Sequence, residues 1–355
     1  MNLIFSFKGE KLYMNVHKQI VGTLDKCYAL STLPLGGETC LLVAAEKHDA
    51  CLLLDGAGHI LERVMDEPGG VMTMVPVPGR DGVFFTTHGF YSPNDAAQAR
   101  LDCVEKTADG WRVTTVAQLP FVHRFDLLPV GEVTYVLACT LKSGHEYKDD
   151  WRSPGKLWTG VLGEDPAAPL ALTEYRAGLG HNHGYTRYTD GQGRLSGIVS
   201  CDEGVFRVSP PDAPGAAWRM ERLLDLPCSD AVLLDLDGDG RPELLTLSPF
   251  HGDSLAIWHL RGGSYELVYE HPEKLPFLHA ICAGEPGGRP AVFVGCRGGE
   301  RRLLVFRWSA VAGYFCEELD RGAGAANCML FERDGHPALL AANRECDEIA
   351  VYDLL

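Results

Sequence analysis

Asp230-Ala-Val-Leu-Leu-Asp235-Leu-Asp237-Gly-Asp239-Gly-Arg-Pro-Glu243-Leu-Leu-Thr-Leu247 is the stretch on which the fold turns. An apolar run, Ala231 to Leu234, meets an acidic Gly-rich turn, and a second apolar run, Leu244 to Leu247, follows. Two short apolar runs about such a turn read as paired strands. His279-Ala-Ile-Cys-Ala-Gly-Glu-Pro-Gly-Gly-Arg-Pro-Ala-Val-Phe-Val repeats the register, as does Asn327-Cys-Met-Leu-Phe-Glu-Arg-Asp-Gly-His-Pro-Ala-Leu-Leu-Ala. Weaker copies open at His183, His123, Tyr28 and Met72. The seven openings at 28, 72, 123, 183, 230, 279 and 327 are 44 to 60 residues apart. A recurrence of about 40–50 residues made of short strands marks a propeller blade. Parallel βαβ units would need a helix-period segment after each strand, and the sequence offers none of sufficient length. The expectation is an all-β, seven-bladed β-propeller forming one domain over 1–355.

The ends of the chain agree with this reading. After Asn327, strands at Ala338–Ala342 and Glu348–Leu354 leave the last copy one strand short. Lys11–Gly22 has the length of the missing fourth strand, and pairing it there would close the ring and remove two exposed edges. The longest irregular stretches, Gly89–Ala99 and Ser143–Lys156, fall inside blades, where long loops tend to carry function.

Composition narrows the class. The chain has 355 residues, 46% apolar and 23% charged, as in a folded soluble protein. A net charge of −16 argues against a nucleic-acid partner, which requires a basic face. No apolar run approaches the roughly 18 residues of a membrane span, and Met1–Phe7, interrupted at Lys8 and Glu10, does not read as a signal peptide. Twelve cysteines with no C-x-x-C pair and no export signal point to a reducing, cytoplasmic setting and to buried thiols in strands. Oligomeric state is left open.

Propeller topology then gathers scattered residues. The start of each inner strand and the loop between second and third strands share one face of the disc; the turn between first and second strands lies on the other. The openings bring Tyr28, Met72, His123, His183, Asp230, His279 and Asn327 to that face, with Arg124 and His181-Asn182 beside them. The second-to-third loops add Glu46-Lys47-His48, His88, Tyr91, Lys142, His145, Tyr147, Cys201-Asp202, His251, Arg297, Arg344 and Glu345. A lone His in a turn is usually a solvated one. Different residues at equivalent positions of successive blades instead suggest a shaped site. Imidazoles with a carboxylate among them suit a divalent ion such as Zn²⁺ or Mn²⁺; without one, they would move protons near neutrality. The expected ligands are His123, His183 and His279, completed by Asp230 or His251. The loop Asp235-x-Asp237-Gly-Asp239-Gly-x-x-Glu243 has oxygen donors at alternate positions, as in a structural Ca²⁺ site, or is an Asp-rich turn.

These residues resemble FG-GAP/VCBS-type propellers, whose blades carry D-x-D-G-D-G-x-x-E-L turns. Val122-His123-Arg124, Trp151-Arg-Ser-Pro154-Gly155, Gly180-His-Asn182-His183, Pro249-Phe-His251-Gly252, Leu278-His279-Ala280 and Ala341-Ala-Asn343-Arg344 resemble the propeller of anhydrofructose (aldosulose) dehydratases over roughly residues 120 to 355. The first two blades match poorly, and the acidic turn survives only in the fifth. The resemblance implies a metal-assisted carbon–oxygen lyase acting on a small keto-sugar or keto-glycoside. His88, His145, His251 and Tyr147 are then candidates for acid and base, and Arg124, Arg297 and Arg344 for binding sugar hydroxyls or an oxyanion. Two rival readings remain: a non-catalytic propeller that binds a protein partner, and a metal-independent His/Tyr sugar lyase or hydrolase.

Overall fold

Each of the seven copies folds into a four-stranded antiparallel sheet whose strands follow one another in sequence, except in the last. The inner strands are Cys27–Leu35, Met74–Pro76, Val122–Val130, Gly184–Thr189, Asp230–Leu234, Leu278–Gly284 and Asn327–Arg333. Every opening residue read from the sequence lies at, or within two residues of, the start of one of these strands. The computed structural model describes residues 14–213 and 215–355. Val16–Thr23 supplies the fourth strand of blade 7, pairing antiparallel with Glu348–Leu354 from Val16 opposite Leu354 to Thr23 opposite Glu348. The closing strand therefore begins later than the Lys11–Gly22 expected, and the first part of that segment lies outside the described residues.

Inner strands of neighbouring blades touch all the way round, blade 7 against blade 1 included, so the ring is shut. Second strands are buried on both faces and read as continuous apolar runs; Glu38–Ala45 and Ala291–Cys296 are examples. The core consequently lies between blades. Leu245, Leu247 and Ile257 of blade 5 pack on Val292, Val294 and Phe306 of blade 6. Leu41 and Val43 of blade 1 pack on Leu340 and Val351 of blade 7. Nine of the twelve free cysteines are buried here, with Cys282 and Cys316 half-buried and Cys346 exposed. The thiols serve as small apolar groups, as expected.

Local chemistry sets the turns. Gly36 and Gly37, both at positive φ (63° and 85°), form the two-residue hairpin of blade 1, a conformation that excludes most side chains. A left-handed residue also sits two positions before five of the openings: Lys26, Gly70, Phe121, His181 and Phe277. This kink redirects the chain from one blade's outer strand into the next blade's inner strand. Blade 2 departs from the pattern. Its inner strand spans only Met74–Pro76 because Pro76 and Pro78 lack the ladder N–H. The irregular stretch predicted at Ser143–Lys156 ends sooner, since Pro154–Val161 is already strand.

With its core divided among blade interfaces, the single-domain reading predicts one cooperative unfolding transition. Leu340→Ala, at the interface that closes the ring, is expected to cost about 2–5 kcal/mol, measured as a shifted urea midpoint with an unchanged slope. A second transition would instead show that the blades unfold separately.

Candidate functional site

Side chains alternate along a strand, so in blade 5 Asp230, Val232 and Leu234 share one side, and in blade 6 His279, Ile281 and Ala283 do the same. The apolar members line a cavity of about 810 Å³ at the far end of the channel, beside the first-to-second-strand turns. Asp230 and His279 occupy the opposite mouth, where the histidines gather.

His183, His251 and His279 each present a ring nitrogen such that the three lie within 4.8 Å of one another. Hydrogen bonds orient two of the rings. The Nδ1–H of His279 donates to the Ala326 carbonyl at 2.7 Å. A carbonyl can only accept, so Nε2 carries the lone pair, and the Tyr28 hydroxyl donates to it at 3.3 Å. His183 Nδ1 faces the Asp230 carboxylate at 3.0 Å, and Ser229 Oγ donates to the same carboxylate oxygen at 2.8 Å. Nε2 of His183 and Nε2 of His251 are buried without any hydrogen-bond partner. His123 adjoins this set, its ring 4.6 Å from that of His183 and its Nδ1–H donating to the His183 carbonyl at 3.2 Å.

Burial keeps His123, His251 and His279 neutral. Desolvation, reinforced by His183 and Arg297, pushes His251 down to about 2. His123 and His279 are likewise held well below the ordinary histidine value, again chiefly by desolvation. Neutral imidazoles with outward lone pairs are metal ligands, and an outer carboxylate on His183 is the usual means of fixing such a ring. The residues therefore fit a borderline divalent ion held by His183, His251 and His279, with the Tyr28 hydroxyl giving up the His279 Nε2 lone pair to it. Asp230 was expected among the ligands; the structure instead gives it to His183 and Ser229, behind the donor set. His123 lies next to the cluster but outside the three converging donors.

The remaining predicted residues divide. Arg124 reaches from blade 3 across blade 2, its Nη1 donating to the Met72 carbonyl at 2.7 Å and its guanidinium 5.7 Å from the Tyr28 ring centre. Arg297 donates to Glu345 at 2.8 Å and lies over Phe277. Arg344 pairs with Glu46 and Glu345. Both are thereby occupied by carboxylates. His88, expected to act on substrate, is fully buried. Its Nδ1 faces Asp102 at 2.6 Å, and Arg100 holds the same carboxylate. Its place inside blade 2 makes it a strut, not a surface acid or base. His145 is half-buried, its ring centre 5.8 Å from that of Phe121 in an edge-on arrangement. Tyr147 is 57% exposed and stacks under Arg152. Neither is in contact with the histidine cluster.

Sequence reading passed over the scaffold behind His251. Lys142 Nζ lies 4.7 Å from the Trp151 ring. Trp151 then packs on His181 (4.3 Å), His181 on Phe250 (4.6 Å), and Phe250 on His251 (3.9 Å). The two long loops are tied together by reciprocal bonds of 2.8 Å between Asn94 and Asp149, which fix the Trp151 end of this row. Aromatic residues in turns were the available signal; their stacking order was not.

The acidic loop lies at the other end of blade 5. Asp230 pairs with Leu247 and Leu234 with Glu243, which puts roughly 13 Å between the two ends at about 3.3 Å per residue. Asp235 accepts from the Gly238 and Gly240 amides, and Asp239 from that of Arg241 and from His259 at 3.0 Å. Glu243 accepts from the Leu236 amide and from Tyr314. The expected set is split over two groups whose ligand atoms lie within 4.8 Å of one another: Asp237 and Glu243 with His259, which was not expected, and Asp235 with Asp237 and Asp239. Much of the loop's acceptor capacity is spent on its own amides.

No family model matches the sequence, and no curated protein matches it. Solved structures do match in fold. The β-propeller domain of Myceliophteria thermophila Cps50 (Swd1) superposes with a TM-score of 0.60 at 11% identity, covering 96% of this chain and 100% of that one. A candidate 6-phosphogluconolactonase of Bacteroides uniformis gives 0.52 at 12% identity over 90% and 89%. Another, from Bacteroides fragilis, gives 0.52 at 12% over 92% and 87%. The chain is a seven-bladed β-propeller.

The neutral histidines make a pH prediction. The unfolded chain binds protons on His123, His251 and His279 near the ordinary value of 6.5, whereas the native site refuses them. Below 6.5 the unfolded state therefore holds more protons, and stability falls as pH drops. Melting temperature is expected to decline from pH 7 to 5, and to decline less in His251→Gln. An equal decline in both would show that these rings are protonated in the native state.

Proposed function

We propose that this protein is a metal-dependent enzyme that eliminates water or an alkoxide from a small keto-sugar derivative at the histidine mouth of the channel. The observation that carries the proposal is the convergence of three imidazole nitrogens, two of them buried without partners, with Asp230 behind His183. A divalent ion bound there would supply Lewis-acid stabilisation of the enediolate. The chain's own groups have separate tasks. His123, with Nδ1–H committed to a carbonyl, has Nε2 left to take the proton next to the substrate carbonyl. Tyr28 holds a hydroxyl proton at the cluster and can pass it to the departing oxygen. The row from Lys142 to Phe250 keeps His251 in place and water away from its ring. The fold likeness to two candidate sugar-lactone enzymes accords with a carbohydrate-derived substrate but does not choose the reaction. The loop of Asp235, Asp237, Asp239 and Glu243 stays a proposed structural Ca²⁺ site, and the cytoplasm the proposed location.

Metal analysis of protein purified without chelator tests this reading. Roughly one equivalent of Zn or Mn is expected, lost in His183→Ala and His279→Ala and kept in His145→Ala. Candidate keto-sugars should yield a conjugated enone absorbance only with the loaded protein. Protein that neither retains nor takes up metal on titration with Zn²⁺ or Mn²⁺ would overturn it.

A further inference from the structure

Three arginines reach the histidine mouth, and they are not equivalent. Arg297 and Arg344 are neutralised by Glu345 and Glu46. Arg124 has no carboxylate partner among the described residues: its contacts are the Met72 carbonyl and the face of Tyr28. Asp230, the acid nearest the cluster, is taken up by His183 and Ser229. A half-buried guanidinium left uncompensated in a chain of net charge −16 is costly unless a ligand pairs with it. Guanidinium also has the planar fork that matches a carboxylate or phosphate.

We propose that Arg124 is the recognition residue for a permanent oxyanion on the substrate, so that the mouth takes a sugar acid or a sugar phosphate and not a neutral sugar. This rests on the reading of the mouth as a substrate site. It adds a substrate class, because the elimination proposed above requires only a carbonyl and a leaving oxygen. The oxyanion pairs with Arg124 on the Tyr28 side of the mouth and leaves the three imidazoles to the reacting end. Lysine at this position would keep the charge and lose the fork.

Isothermal titration with D-gluconate, D-glucose 6-phosphate and D-glucose tests the assignment, with metal content measured on every sample. At least one of the two anionic probes is expected to bind roughly tenfold or more tighter than glucose, the stronger of them identifying carboxylate or phosphate. The preference should weaken with added salt. It should vanish in Arg124→Gln, survive in part in Arg124→Lys, and be untouched in Arg194→Gln, a surface position on the opposite face. Melting curves exclude unfolding as the cause. Equal binding of charged and neutral probes, or a preference unchanged in Arg124→Gln, overturns the proposal. Stoichiometric metal without anion preference would defeat this inference alone, and anion preference in metal-free protein would defeat only the metal reading.

Discussion

The pairing of Val16–Thr23 with Glu348–Leu354 holds the rest of the structure in place. A propeller has no single central core. Its apolar surface is distributed over the contacts between blades, and each contact exists only while both neighbours stay in register. One hydrogen-bonded ladder between the two ends of the chain turns seven hairpin pairs into a closed ring. The same ladder removes the free edges that an open stack would present for aggregation. The histidine mouth depends on this closure, because His279 leans on blade 7 through the Ala326 carbonyl and on blade 1 through Tyr28.

Within the ring, desolvation governs the chemistry of the mouth. Imidazoles from blades 3, 4 and 6 and from a blade-5 turn stand close enough to repel one another if charged, and water is too scarce to offset that repulsion. Desolvation holds His123, His251 and His279 neutral at the expense of stability in acid. Positive charge enters instead through arginines. Two of these are neutralised at once by glutamates, while Arg124 has no carboxylate partner among the described residues. The opposite mouth has a different character, with a cavity where apolar strand residues meet Arg187, Asp190 and Asp235, and an acidic turn whose carboxylates largely cap their own backbone.

Much of the architecture was legible because it is local and repeated. Turn glycines, alternation along inner strands and a recurrence of about 50 residues identify blades one by one, and the missing strand of the last blade identifies the closure. Blade 2 was the least legible, since Pro76 and Pro78 shorten its inner strand. Residues that open inner strands were correctly placed on one face. Their individual tasks were harder to read. His88 ends a second strand and His251 follows one, yet the first is sealed inside a blade on Asp102 and the other turns into the mouth at a φ of 48°.

Sequence alone therefore determined the blades, their number, and the face on which the histidines collect, because hairpin chemistry and strand periodicity act over a few residues. Tertiary structure decided which nitrogens converge, that Asp230 serves His183 in place of a metal, and that Arg124 alone of three arginines lacks an acid. Those outcomes depend on distances between side chains 28 to 251 residues apart along the chain. Such distances are fixed by how blades pack, and no local pattern encodes them.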